Sequence, residues 1–102
     1  MSWKVLIRPQ VEQDIADAAQ WYNSKEEGLG SEFVESIIRV WDALEHNPLI
    51  GSIRHSKKDI HWRYADRFPY RVIYDIDDSE KIIVVVAVLH AALHDQHWID
   101  RV

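Results

Sequence analysis

The sequence predicts an α+β fold in which two amphipathic helices pack on one face of an antiparallel sheet of about four strands. Apolar residues recur every three or four positions in two stretches of the N-terminal half, which is the period of an α-helix. They recur at every second position near the start of the chain and again in the C-terminal half, which is the period of a strand. The predicted order is β-α-α-β-β-β, followed by a short C-terminal helix or ordered tail.

The first strand is predicted where Trp3, Val5 and Ile7 alternate with more polar neighbours. Pro9 ends this strand because it has no amide hydrogen for a ladder, and it also suits the first turn of a helix. The first helix is predicted from Gln10 onward. Its apolar, inward positions are Val11, Ile15, Ala18, Ala19 and Tyr22, and its solvent-facing positions are Glu12, Asp14, Asp17 and Gln20.

The stretch from Lys25 to Gly30 interrupts the helical pattern, and Ser31 is the predicted N-cap of a second helix. This helix ends at Asn47-Pro48, because proline disfavours helical backbone in the residue before it. Two helices joined by about six residues form an antiparallel helical hairpin. The inward positions of the second helix are Phe33, Val34, Ile37, Ile38, Trp41 and Leu44.

An irregular connection over 49–59 leads to a strand over 60–64 and then to a hairpin of two strands, over 70–76 and 82–89. The last strand is apolar on both faces, which predicts a place inside the sheet. Arg71 is a permanent cation beside this buried region, and His90 ends the neighbouring strand. In the tail, Asp95 is a possible helix cap and Trp98 is the one large apolar anchor.

Composition narrows the class of protein. A chain of 102 residues suits a single domain over 1–102. The absence of cysteine excludes disulfides, thiolate zinc sites and cysteine nucleophiles. No apolar run has the length of a signal or membrane segment, so we expect a cytoplasmic protein without membrane contact. The net charge of −5 repels phosphate backbones, so any nucleic-acid contact must be local.

No cofactor or metal is expected. The histidines His90, His94 and His97 are close in sequence, but a structural or solvent-exposed role is favoured over a metal site. Gly28 and Gly30 belong to a turn between helices and lack the strand and lysine of a phosphate-binding loop. The serines lack the elbow motif of a catalytic nucleophile.

Four sequence pieces, in this order, resemble the ParE/RelE superfamily of toxins from bacterial type II toxin–antitoxin systems, also called plasmid stabilisation proteins. The pieces are Val11–Ile15 with Trp21-Tyr22, Asn47-Pro48 with Gly51, Phe68–Tyr74, and Val88–His90 with Trp98. The resemblance covers nearly the whole chain and is closer to the ParE-like branch. It implies the same fold that the periodicity predicts.

The RelE-like branch implies cleavage of messenger RNA on the ribosome by a basic cluster with an acid or base. Its strand arginine corresponds to Arg71 and its C-terminal histidine to His90. Its lysine positions fall on Trp62 and Tyr64, and its basic tail residues are replaced by Ala91, Ala92 and Leu93. Whether the protein is an enzyme therefore stays open. The alternative is a structural Arg71, paired with Asp66, Asp75 or a backbone carbonyl, and a structural His90.

The ParE-like branch implies inhibition of DNA gyrase through a binding surface without covalent chemistry. The candidate target-binding residues are Arg63, Arg67 and Arg71, with the loop cluster Arg54, Lys57 and Lys58. The family also implies a cognate antitoxin that folds on the toxin and packs apolar side chains against it. The candidate antitoxin-binding residues are Trp3, Trp21, Trp62 and Trp98. A third hypothesis is a non-toxic interaction module that retains the fold.

Overall fold

The computed structural model describes residues 2–55 and 59–102, and in these residues five strands form one sheet in the order β1-β5-β4-β3-β2. The α+β class, the N-terminal helical hairpin and the short C-terminal helix are confirmed. The predicted number of strands is too low because the two-residue strand β2 is too short to give a periodic signal. The elements are β1 Lys4–Ile7, α1 Pro9–Lys25, α2 Leu29–His46, β2 Ile53–Arg54, β3 His61–Tyr64, β4 Tyr70–Asp77, β5 Ile82–His90 and α3 Gln96–Ile99.

The sheet is mixed, which corrects the prediction of an antiparallel sheet. Strand β1 pairs in parallel with β5, from Lys4 opposite Ile82 to Ile7 opposite Val85, whereas the other three pairings are antiparallel. The alternation in β1 indicates a strand but carries no information on the direction of its partner. The pairing gives β5 a neighbour on each side, which confirms its predicted place inside the sheet.

The hairpin between β4 and β5 contains a bulge. Ile73 lies opposite Ala87 but Tyr74 lies opposite Val85, so Val86 is an extra residue in β5. Consequently Val86 and Ala87 both belong to the same hydrophobic cluster although they are consecutive. The bulge is one reason why the sequence of β5 shows no clean alternation.

The helical hairpin is tighter than predicted. Only residues 26–28 separate α1 from α2, and the N-cap is Gly28, with φ of 89°, rather than Ser31. Glycine adopts this left-handed backbone without the penalty that a Cβ atom adds. At Gly30 a Cβ atom would lie 2.4 Å from the carbonyl oxygen of Ala19, so a glycine is required where the two helices approach.

The helix-facing side of the sheet carries the larger core. Of the predicted inward positions, Val11, Ala18, Tyr22, Phe33, Ile37 and Leu44 are buried, and Ile15, Ala19, Val34 and Trp41 are partly buried against them. Ile38 is the exception, since it is 49% exposed and Val40 is buried on α2 instead. The prediction for Ile38 is therefore wrong: Val40, one helical turn from Ile37 and Leu44, takes the inward position.

The opposite side of the sheet carries a second, smaller core beneath the C-terminal segment. Ile73, Val86 and Ala87 contribute from the sheet, and the fully buried Trp98 of α3 packs against them. The two cores thus cover both faces of the sheet, and Arg71 lies on the side of the smaller core.

In the described parts of the chain, no helix has the length and apolar character needed to cross a membrane.

Candidate functional site

Arg71 is held in an ion pair on the side of the sheet away from the helical hairpin. Its side chain is 7% exposed, and one terminal guanidinium nitrogen lies 3.0 Å from Oδ1 of Asp95. The other donates a hydrogen bond to the carbonyl oxygen of Leu93 at 3.3 Å. The guanidinium carbon also lies 5.2 Å from the ring centroid of Trp62, a cation–π contact. Arg71 is therefore bound by the C-terminal segment and by β3.

Asp95 joins this ion pair to the smaller core. Trp98 donates its indole N–H to Asp95 Oδ1 at 3.1 Å, and Nε2 of His55 lies 3.6 Å from Oδ2. Burial alone raises the pKa of Asp95, but hydrogen bonds from Arg71 and Trp98 and the charge of Arg71 outweigh burial and lower it. Asp66 and Asp75, the carboxylates predicted to pair with Arg71, are therefore wrong, since the carboxylate is that of Asp95. The backbone carbonyl predicted as the alternative partner is present, and it belongs to Leu93.

Two buried donors of this region have no acceptor among the described residues. They are Nε of Arg71 and the indole nitrogen Nε1 of Trp62. A buried donor without an acceptor is unfavourable by about 1–3 kcal/mol. The ion pair with Asp95 and the hydrogen bond to Leu93 therefore have to hold Arg71 against this penalty.

His90 lies on the other side of the sheet. It pairs with Tyr70 across β4 and β5, and the two rings are 5.4 Å apart in an edge-to-face arrangement. Its Nδ1 accepts a hydrogen bond from the amide of Ala92 at 3.0 Å. His90 lines a cleft of about 440 Å³ between α1 and the end of β5, together with Asp17 and Trp21.

The structure does not bring Arg71 and His90 together. Tyr70 and Arg71 are consecutive in β4, so their side chains point to opposite faces, and His90 is on the face of Tyr70. A phosphate bound at one of these residues would be separated from the other by the sheet. The two candidates of the RelE-like hypothesis therefore do not form one catalytic site in this conformation.

The candidate target-binding arginines are also dispersed. Arg63 lies opposite Val72 on the helix-facing side and donates a hydrogen bond to the carbonyl oxygen of Ile50 at 2.9 Å. Arg67, exposed in the turn before β4, has φ of 69° and lies 3.6 Å from a carboxylate oxygen of Glu32. With Arg71 buried on the opposite side, the three arginines do not form one continuous patch.

The loop cluster is described only in part. The guanidinium of Arg54 lies 3.5 Å from Asp59 at the surface, with both side chains well exposed. Lys57 and Lys58 lie outside the described residues.

The four tryptophans proposed for antitoxin contact differ in exposure. Trp21 is 54% exposed, and Nζ of Lys25 lies 5.1 Å from its ring centroid. Trp3 and Trp62 are partly buried. Trp98 has no exposed surface: its ring fills the smaller core, so contact with a partner would require α3 to move.

A second ion pair, missed in the sequence, joins the C-terminal end to α1. Arg101 donates to both carboxylate oxygens of Asp14, at 2.7 and 3.0 Å, and Asp14 also accepts the backbone amide of Val88 at 3.0 Å. The hydrogen bonds and charge of Asp14 raise the pKa of Arg101. The prediction that Asp14 faces solvent is wrong, since its carboxylate pairs with Arg101. This pairing has no local sequence signal because the two residues are 87 positions apart.

The described residues contain no group of three or more histidine, aspartate or glutamate side chains arranged to hold a metal ion. Nδ1 of His94 accepts the amide of Gln96 at 3.1 Å, much as His90 accepts that of Ala92. Both histidines therefore have local backbone contacts at the start of the C-terminal segment.

Comparison with known proteins identifies the family. The model of the ParE toxin of the type II toxin–antitoxin system parDE matches residues 5–93. The chain belongs to this ParE toxin family. Among the curated proteins, none is significantly similar in sequence.

Solved structures similar to this ParE-family protein include toxins of both branches. The chromosomal ParDE system of P. aeruginosa gives a TM-score of 0.73 at 13% identity, covering 86% of this chain and 95% of that one. A mutant of the toxin RelE from E. coli, in the free state, gives 0.72 at 15% identity, covering 100% of this chain and 99% of that one. The RelBE2 toxin–antitoxin complex of Mycobacterium tuberculosis gives 0.62 at 18% identity, covering 88% and 99%. At these identities the similarity shows the shared fold alone.

Proposed function

We propose that this ParE-family toxin acts by binding a target protein, with DNA gyrase as the target, and that a cognate antitoxin neutralises it. The observation that carries this proposal is the position of Arg71. A guanidinium that is nine-tenths buried and paired with Asp95 is not available to a scissile phosphate. Among the described residues the sheet also separates Arg71 from His90, and this arrangement supports action through a binding surface rather than through a catalytic pair.

The charge of the protein supports the same proposal. A nuclease must attract a polyanion, and positively charged clefts raise the rate of such encounters. This chain carries a net charge of −5, and β3 has Trp62 and Tyr64 where the RelE-like branch has lysines. A protein target does not require this positive field.

The proposal of an antitoxin partner is supported by the similar structures and by the exposed surface of α1. Similar structures include a toxin–antitoxin complex from M. tuberculosis and an archaeal RelE–RelB complex from Pyrococcus horikoshii. In our protein, Trp21 is exposed beside the cleft that ends at His90. Exposed aromatic side chains beside a cleft are typical anchors of a peptide partner. We place the antitoxin contact there, with Trp3 and Trp62 as further candidates.

Ribosome-dependent cleavage of messenger RNA is the alternative function, because the similarity to RelE is as strong as the similarity to the ParDE structure. It requires Arg71 to leave its ion pair and His90 to act from a different face. The substitutions Arg71→Met and His90→Ala would then abolish toxicity.

The proposal is tested by expressing the chain alone and together with the reading frame adjacent to its gene. We expect growth arrest with a DNA-damage response, rescue by the antitoxin, and inhibition of supercoiling by purified gyrase. Arrest with cut transcripts and intact supercoiling would support the RelE-like alternative. Normal growth with retained antitoxin binding would identify a non-toxic interaction module.

A further inference from the structure

The turn after α2 presents two aliphatic side chains to solvent. Leu49 and Ile50 are 61% and 65% exposed, the highest values among the large hydrophobic residues of the described parts of the chain. Ile53 of β2 and Tyr64 of β3 are also exposed. Ile53 lies opposite Trp62, and continuing that register by two residues brings Gly51 level with Tyr64. We call Leu49, Ile50, Ile53 and Tyr64 the edge patch, because they lie at the β2 edge of the sheet.

Hydrogen bonds hold the turn in this shape. The side chain of Asn47 accepts the amide of Leu49 at 3.0 Å, and the hydroxyl of Ser52 donates to the Leu49 carbonyl at 2.9 Å. From the sheet, Arg63 donates to the carbonyl of Ile50, and the buried hydroxyl of Tyr74 donates to that of Pro48. Leu49 and Ile50 are therefore presented by a braced turn, so a partner would lose little backbone entropy on binding them.

The local charge differs in sign from that of the whole chain. Arg39 and Arg63 line a small depression with Tyr64 and Asp66, and Arg54 lies at the surface of β2 beside Asp59. The surroundings of the edge patch thus hold three cations and two carboxylates in the described residues, in a protein with a net charge of −5. Such a surface is complementary to an apolar pocket with a carboxylate rim.

We infer that the edge patch is the surface with which this toxin binds its target, and that the target presents an apolar pocket rimmed by acidic residues. This inference rests on the proposed function. Leu49 and Ile50 would enter the pocket, and Arg54 and Arg63, which lie on the helix-facing side of this sheet edge, would meet the rim on that side. The cleft beside Trp21 shares no lining residue with the edge patch or with its arginines and remains available to the antitoxin. One toxin molecule thus has separate surfaces for its two partners.

The test compares the wild-type chain with Leu49→Ser/Ile50→Ser in binding to purified gyrase. We expect binding to weaken about 30-fold or more, the effect of losing a central anchor, and growth arrest to be lost. Ile38→Ser, which removes a similarly exposed aliphatic side chain from α2, should bind and arrest growth as the wild type does. Arg54→Glu should slow association and reverse its salt dependence. Melting temperatures and antitoxin binding of all variants should stay near those of the wild type.

Each outcome decides the inference. If the serine variant binds gyrase and arrests growth like the wild type, the edge patch is not the target surface. If the variant loses antitoxin binding instead, the patch belongs to the antitoxin and the inference is overturned. If the wild type arrests growth without binding gyrase, the gyrase proposal fails. In that case loss of arrest in the variant supports the edge patch as the target surface, and retained arrest overturns it. If the wild type has neither activity, both proposals fail. Should the double variant not fold, Ile50→Ser alone is judged by the same criteria.

Discussion

Replacing Asp95 by alanine tests the central claim about Arg71. The substitution leaves a guanidinium with a 7% exposed side chain without its carboxylate. Removing one partner of a fully buried ion pair is unfavourable by about 3–5 kcal/mol. Asp95 itself is 35% exposed, so water can reach part of the vacated space, and we reduce the expected loss to about 2 kcal/mol. Trp98 also loses its acceptor, which adds about 1 kcal/mol at most.

Urea unfolding monitored by tryptophan fluorescence measures this loss. With a slope of about 1 kcal/mol per molar urea for a small domain, the midpoint should fall by about 2–3 M. Arg71→Met removes the charge but keeps an apolar chain of similar length, so it should destabilise the fold less than Asp95→Ala. In the double variant the two losses should not add, with a coupling free energy of about 1–2 kcal/mol.

A different result would remove the structural role of Arg71. If Asp95→Ala shifts the midpoint by less than about 0.3 M and the double variant is additive, Arg71 is not held by Asp95 in solution. The arginine would then be free to contact a phosphate or a target. Growth arrest by Arg71→Met supplies the functional check: our proposal expects arrest to persist, and the RelE-like alternative expects it to be lost.

Three further predictions address packing and titration. Gly30→Ala should lower the melting temperature by about 10 °C. The clash of the new Cβ atom with the Ala19 carbonyl is unfavourable by about 2–3 kcal/mol, which exceeds the gain in helix propensity of about 1 kcal/mol. An unchanged or higher melting temperature would contradict the close approach of the two helices. The pKa of His61 should be below the usual histidine value, since burial lowers it while Asp59 partly raises it; NMR titration should show a further fall in Asp59→Asn. Because the folded-state pKa of Asp95 is lowered, its contribution to stability is present above the ordinary aspartate pKa and lost as pH falls through the folded value. Asp95→Asn should therefore flatten the acid loss of stability below about pH 5, and equal slopes would argue against it.

The helical hairpin could be predicted from the sequence because its signals are local. Pro9 begins α1, and Asn47 ends α2 as its C-cap, as expected from residues next to each other in the chain. The exact start of α2 could not be predicted, since Ser31 and Gly28 both suit an N-cap position. Only tertiary packing, with the close approach at Gly30, decides between them.

The candidate site was harder to predict because its contacts are remote in sequence. Arg71 stands out in β4, but nothing local indicates that Asp95, 24 positions later, supplies its carboxylate. Asp14 has the spacing of a solvent-facing residue, yet it binds Arg101 at the far end of the chain. The Leu49–Ile50 pair had a visible signal, namely two adjacent aliphatic residues in a loop with Pro48, but the pattern does not reveal their exposure.

The residues after β5 bear on our proposal that the strand arginine has a structural and not a catalytic role. The RelE-like branch places cations there, and cations beside Arg71 would repel it and leave it open to an anion. Here Ala91, Ala92 and Leu93 allow the segment to turn back onto the sheet, where the Leu93 carbonyl and then Asp95 reach the guanidinium. Positions 91–93 thus lack the basic residues of the RelE-like branch, and Asp95, two positions further along, supplies the carboxylate that pairs with Arg71. Basic residues introduced at 91 and 92 should therefore not create a nuclease while Asp95 holds Arg71, and transcript cleavage by a variant that retains Asp95 would contradict this.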